Sequence, residues 1–188
     1  MSKDSCHILP FTEAMLPDLL PIACQGLGEG YFVSQLKHLK EHYTLDINCV
    51  FKADKLIGFS LAYQCTIEGA LCDYGLDVSS YADRDRQVYV LKSMVIEESY
   101  QRQGYGTELM KSALNKAIAN QLDAIILAGW KSVEGTNIEH LMDDFGFEVI
   151  CEIQDFWHAE SIINQYQCPV CGCPCNCTAI IYSKDLKM

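Results

Sequence analysis

The stretch Gln101-Arg102-Gln103-Gly104-Tyr105-Gly106-Thr107 constrains this chain more than any other, because it joins two segments of different period. Before it, Gln87 to Ile96 is dominated by Val, Tyr, Leu and Ile and reads as a strand. After it, Leu109, Met110, Ala113, Leu114, Ala117 and Ile118 recur at helical spacing, with Glu108, Lys111, Ser112, Asn115 and Lys116 opposite them and Asn120 closing the run. A buried strand that passes directly into an amphipathic helix leaves the helix's first N–H groups pointing outward at the positive end of its dipole. Glycines at 104 and 106 let the backbone approach a ligand closely, and Arg102 adds a local cation. Such a turn suits a pyrophosphate held by main-chain amides. The plainer reading is a glycine turn that merely caps a helix. The strand before and the helix after favour the ligand.

The rest of the chain alternates strands and helices. A short strand is expected around His7 to Phe11, then a helix over Glu13 to Leu20 behind Thr12, and a second helix from about Ser34 to Glu41. Gly26-Leu27-Gly28-Glu29-Gly30 reads as the loop between them, with Tyr31 and Phe32 just after it. Ile47, Cys49, Phe51 and Ala53 share one strand face. Asp54-Lys55 makes a tight connection, and Ile57, Phe59, Leu61, Tyr63 and Cys65 line one face of a longer strand. Residues 68–86 read as a polar excursion. Ala124 to Ala128 is a fully apolar strand of the kind buried on both faces. Thr136-Asn137-Ile138-Glu139 has the form of a capping box, opening a helix that turns Ile138, Leu141, Met142 and Phe145 inward and stops at Gly146. Strands are expected over Phe147 to Phe156 and Thr178 to Tyr182. The fold class is therefore α/β or α+β with a mixed sheet, in one domain spanning 1–188.

Composition narrows the function. A hydrophobic fraction of 49% with 21% charged residues excludes a disordered chain. A net charge of −11 argues against a nucleic-acid partner, since such proteins neutralise phosphates with a basic face. No apolar run approaches the roughly 20 residues that span a bilayer, and Met1 to His7 lacks the pattern of a secretory signal. A cytoplasmic protein without a membrane partner is expected, and a homodimer is left open.

Eleven cysteines cannot all pair within one chain, and five of them fall between 168 and 177. Cys168-Pro169-Val170-Cys171-Gly172 has the form of a zinc knuckle, with Gly permitting the turn that aims N–H groups at sulfur. Cys175 and Cys177 are best placed to complete a tetrahedral site behind Pro174, which leaves Cys173 as a spare. Structural Zn²⁺ on Cys168, Cys171, Cys175 and Cys177 is the leading reading in a reducing compartment. Disulfides or free thiols, an iron–sulfur cluster and a catalytic zinc are the others.

Lys92-Ser93-Met94-Val95-Ile96, continued through Gln101-Arg102-Gln103-Gly104-Tyr105-Gly106-Thr107-Glu108-Leu109-Met110, resembles motif A of the GCN5-related N-acetyltransferases (GNAT). Phe145-Gly146-Phe147 resembles the Gly-Phe with which that family commonly closes a later helix. The resemblance implies the acyl-CoA N-acyltransferase fold, a central mixed sheet flanked by helices, with acetyl-CoA in a cleft where two parallel strands splay. Backbone groups of Met94, Val95 and Ile96 would bond the pantetheine arm. Amides of Arg102, Gln103, Gly104, Tyr105, Gly106 and Thr107 would hold the pyrophosphate, and Asn137 would touch the pantetheine. The implied reaction is direct attack of an amine on the thioester, with the carbonyl polarised by backbone N–H groups. The acceptor would be a primary amine of a small molecule or a peptide.

Where many members carry a tyrosine general acid, four residues before Gly146, this chain has Met142, and Val88 to Ile96 contains no carboxylate. Glu97, Tyr100, Glu134 and His158 qualify by side-chain type, but none is assigned, so the catalytic residues stay unknown. Trp130 and Phe156-Trp157 are core aromatics or walls of an acceptor pocket. The resemblance places the cysteine cluster between the last two strands, beside the acceptor entrance. Two other readings are carried: a non-catalytic acyl-CoA-binding or zinc-stabilised interaction module, and a cysteine-rich redox or metal-storage protein.

Overall fold

The computed structural model describes residues 6–77, 83–132, 135–136 and 138–187. Eight strands form one sheet: β1 (Cys6–Pro10), β2 (Leu45–Lys52), β3 (Lys55–Thr66), β4 (Gln87–Ile96), β5 (Ala124–Ser132), β6 (Gly135–Thr136), β7 (Glu148–Ile153) and β8 (Thr178–Asp185). Their spatial order is β1-β2-β3-β4-β5-β8-β7, with β6 attached to the end of β5. The pairing is antiparallel except between β4 and β5, which run parallel. A parallel pair needs a crossover, and the amphipathic helix α4 (Tyr105–Ala119) supplies it.

Alternation along β4 sends its side chains to two cores. Val88 and Val90 join the face covered by α1 (Leu16–Leu27), α2 (Tyr31–His42), α3 (Ile67–Asp73) and α6 (His158–Asn164). Tyr89 and Leu91 join the face covered by α4, through Met110, Ala113 and Ala117, and by α5 (Glu139–Phe145), through Met142. β4 itself has the bounds its apolar run predicts.

Five local expectations are corrected. Ile57 does not share the face of Phe59 and Leu61, because a bulge opposite Val50/Phe51 leaves it unpaired and turns it onto Val50 and Leu109. The excursion expected over 68–86 opens as helix α3, capped by the Thr66 hydroxyl, which accepts from the Gly69 N–H at 3.1 Å, and buried through Ile67, Ala70 and Leu71. Thr136 pairs with Lys131 as strand β6, so Ile138 rather than Thr136 stands at the cap of α5. The strand expected over 147–156 stops at Ile153, and α6 follows it. No apolar stripe announces that helix, since its Ile162 and Ile163 are exposed. The glycine loop after the first helix is also shorter than expected. α1 runs on to Leu27 because Gly26 lets it lie flat on β4: a Cβ there would stand 2.4 Å from a Val95 methyl.

Candidate functional site

The β4–β5 ladder runs from Val88/Ala124 to Leu91/Leu127 and ends there. Beyond it, Ser93 to Ile96 pair only with β3, while Ala128 to Trp130 pair only with β8. Two parallel strands therefore diverge, each leaving one main-chain edge facing the gap. A bulge at Lys92 accompanies the divergence, since Leu61 faces Ser93 while the next residue, Ala62, faces Leu91. Met94, Val95 and Ile96 lie on the diverging segment.

The turn from β4 into α4 opens at the end of this gap. Arg102 has φ 57° and Gly104 φ 90°, so the chain takes two left-handed steps before the helix. Gly104 is the N-cap and offers no side-chain acceptor, which leaves the N–H groups of Tyr105, Gly106 and Thr107 without an intrahelical partner. Nothing lies within 4 Å of the position a Cβ would take at Gly104 or at Gly106. That open cradle is what a bound phosphate group requires. Gln101 and Gln103 brace the turn from behind, donating to the Ile96 carbonyl at 2.9 Å and the Ser99 carbonyl at 3.0 Å.

The acid and base candidates fare differently. Glu97 accepts from Lys55 at 3.0 Å and from the Ser99 hydroxyl at 3.0 Å, and the Lys55 contact holds its carboxyl below the usual range. It is an ion-paired surface group. The Tyr100 ring lies beneath the ammonium groups of Lys55, at 4.9 Å, and Lys52, at 5.6 Å. His158 Nδ1 pairs with Asn176 Oδ1 at 2.9 Å. Met142 is fully buried in the α4–α5 core. Glu134 and Asn137 lie outside the described residues.

The structure brings forward a polar group that the sequence reading missed. The Tyr31 phenol is pushed up by burial, against the charge of Lys92 and the hydrogen bond of the Trp157 indole, and with the charge of Glu160. Nearby in the fold, the Tyr74 hydroxyl and Ser93 Oγ are buried without a hydrogen-bond partner among the described residues. Lys92 had a signal in the sequence, as the one charged side chain within the apolar run Val88 to Ile96.

The cysteine cluster lies between β7 and β8 on the α1–α2 side of the sheet. The sulfurs of Cys168, Cys171, Cys175 and Cys177 all lie within 4.8 Å of one another. Cys177 Sγ stands 3.6 Å from Cys171 Sγ and 3.9 Å from Cys168 Sγ. Four sulfurs about 2.3 Å from a tetrahedral ion stand about 3.8 Å apart, so these separations suit a metal. Cys168, Cys175 and Cys177 are buried and Cys171 is exposed. Burial pushes the Cys175 thiol well up, and raises Cys177 to about 11 against the Trp130 indole beside it. Burial also raises Cys171, but the Asn176 N–H at 3.4 Å and the other three sulfurs outweigh it and bring that thiol below its ordinary value. Crowded, buried sulfurs of this kind all ionise only around a cation. The knuckle is closed by paired main-chain bonds, Cys168 N–H to Gly172 C=O at 3.1 Å and the reverse at 3.0 Å, and Gly172 has φ 75°. The Ser161 hydroxyl accepts from the Cys175 N–H at 2.9 Å. Cys173 stays outside the quartet and donates to the Ser161 carbonyl at 3.5 Å. Trp130 thus joins the β5 wall of the gap to the cysteine cluster, and the Phe156 and Trp157 rings meet each other edge-on with centroids 4.9 Å apart.

Among the described residues, no helix is long and apolar enough to cross a membrane. The acetyltransferase (GNAT) family matches residues 16–147. In three dimensions the chain is similar to NAA60 of Arabidopsis thaliana in complex with acetyl-CoA, with a TM-score of 0.71 and 10% identity over 97% of this chain and 99% of that one. It is similar to a GNAT family acetyltransferase of Elizabethkingia anophelis with acetyl-CoA bound, with a TM-score of 0.64 and 18% identity over 98% and 100%. Naa50 of Arabidopsis thaliana in complex with the bisubstrate analogue CoA-Ac-MVNAL gives a TM-score of 0.63 and 12% identity over 96% and 98%. No curated protein matches the chain in sequence.

Proposed function

The chain belongs to the GNAT acetyltransferase family, and from that premise we propose that it transfers the acetyl group of acetyl-CoA to a primary amine of a small molecule or peptide. One observation carries the reading: the divergence of β4 from β5 opens directly onto a turn whose amides face an open cradle. Main-chain groups of Met94, Val95 and Ile96 hold the pantetheine arm, with Asn137 beside it. The amides of Arg102, Gln103, Gly104, Tyr105, Gly106 and Thr107 hold the pyrophosphate, with the dipole of α4 behind them. Acetyl-CoA supplies the activated acyl group, and the amine attacks it directly. The free edge of β4 offers N–H groups to polarise the thioester carbonyl.

Cys168, Cys171, Cys175 and Cys177 hold one Zn²⁺ in a closed, structural site, as the chemistry of four thiolates supports. Thiolates held reduced around a metal fit a cytoplasmic protein.

Release of free CoA thiol, followed across a panel of small amines and peptide amino termini, tests the activity. Turnover with one acceptor class is the expected result. A second reading is favoured by Met142, fully buried where a general acid would stand, and by a β4 without a carboxylate. It makes the chain a non-catalytic acyl-CoA-binding module, and saturable acetyl-CoA binding without release to any acceptor would establish it.

A further inference from the structure

We propose that the metal centre positions the acceptor side of the cleft, because it holds the α1–α2 loop in place through the residue next to Cys168. Only the kinetic arm of the test rests on the acetyltransferase reading.

The loop and the knuckle meet through main-chain groups. Gln167, which immediately precedes Cys168, donates its N–H to the Glu29 carbonyl at 2.9 Å, forming an isolated bridge between α1–α2 and the segment ahead of β8. Gly28, at φ 94°, lies flush against this segment: a Cβ there would stand 1.8 Å from the Gln167 carbonyl oxygen and 3.1 Å from Pro169 Cδ. One residue further back, the Tyr166 ring meets Tyr31 edge-on with centroids 5.0 Å apart, and Tyr31 is the first residue of α2. The other flank of the loop is fixed by Gly26 on Val95, a residue of the diverging part of β4. The α1–α2 loop is thus clamped between the wall of the cleft and the knuckle.

The knuckle has little else to hold its shape. Helix α6 ends at Asn164 and β8 begins at Thr178, and the thirteen-residue stretch between them contains no helix or strand. Besides the Cys168–Gly172 and Glu29–Gln167 bridges, its main chain is tied, among the described residues, only at its end, by Cys175 N–H to the Ser161 hydroxyl, Asn176 N–H to Cys171 Sγ and Phe156 N–H to the Cys177 carbonyl. Four ligands within ten residues let one ion supply what regular structure does not. Ligation fixes Cys168, Cys168 fixes Gln167, and Gln167 fixes Glu29 and Gly28. The α4 turn takes no part in this chain of contacts.

The test uses the full chain, loaded with Zn²⁺ or stripped by a chelator. Elemental analysis should find one zinc per chain, and Co²⁺ in its place should give the absorption of a tetrahedral thiolate site. Stripping should speed amide exchange in residues 28–36 by at least about tenfold, together with 165–177, and leave 105–119 unchanged. Gly28→Ala separates the loop contact from the metal. It should keep one zinc per chain, show the same loss of protection at 29–36, and raise the acceptor KM by about as much as stripping does. Deprotection confined to 165–177 overturns the proposal, as does an unchanged acceptor KM in a Gly28→Ala protein that has lost protection at 29–36. If no amine yields free CoA, the acetyltransferase reading fails while the exchange data still decide this one.

Discussion

The turn at 101–107 lies at the end of the gap between β4 and β5, and the segment 154–177 meets β5 through Trp130, yet the two are built differently. The first presents main-chain amides, with Gly104 in the left-handed region and open space beside both glycines. The second works through side chains, namely four cysteine sulfurs, a Trp130 indole beside one of them and the Ser161 hydroxyl behind another. A backbone site keeps its shape from the strand and helix that frame it. A side-chain site set in a stretch with no helix or strand of its own keeps its shape largely from what it binds. The two halves should therefore fail separately.

The largest separation is expected from Cys177→Ser, which removes a buried ligand. Bound zinc should fall from one per chain to none, and the melting temperature should drop by about 10 °C or more. The acetyl-CoA Kd should move by no more than about threefold, roughly 0.6 kcal/mol. A loss of acetyl-CoA binding as severe as the loss of metal would merge the halves. Gly104→Val is the reciprocal change. It puts a branched side chain at φ 90° into the cradle and should weaken acetyl-CoA by about 100-fold, with zinc stoichiometry intact by elemental analysis. Trp130→Phe keeps the bulk of the β5 wall and removes the indole donor beside Cys177. Metal affinity, measured by competition with a chromophoric chelator, should fall by about tenfold, while acetyl-CoA binding holds.

Cys49 gives a control outside both halves. It is a buried thiol with no metal partner, and burial raises it to about 11 from an ordinary value near 9. The folded protein keeps this proton where the unfolded chain has released it. The stabilisation is therefore complete below pH 9 and is lost as pH rises through 11, on the order of 2 kcal/mol. Chemical denaturation across that range should show the decline, and Cys49→Ala should flatten it. A decline of the same depth in Cys49→Ala would place the sensitive group elsewhere.

Legibility in the sequence followed the same division. Strand β4, the crossover helix and the turn between them were readable because a change of period flanks the glycines at 104 and 106. The grouping of Cys168, Cys171, Cys175 and Cys177 was legible from spacing, and Cys173 sits outside it. The surroundings of that quartet were not. Helix α6 carries Ile162 and Ile163 on its exposed side, so no apolar period reveals it. The contact of Gly28 with Gln167 joins residues 139 positions apart and leaves no local pattern. Ile57 defeated the alternation because a bulge costs one residue of phase. The charges of Lys92 and Glu160 act on Tyr31 only through the packing of α2 and α6 over the sheet.

Steady-state kinetics before and after metal removal from one preparation bears most directly on the independence of the two halves. With an acceptor that supports turnover, stripping the zinc should raise the acceptor KM by about tenfold or more and leave the acetyl-CoA KM within about twofold. Parallel loss in both constants, or a change in the acetyl-CoA KM alone, would contradict it.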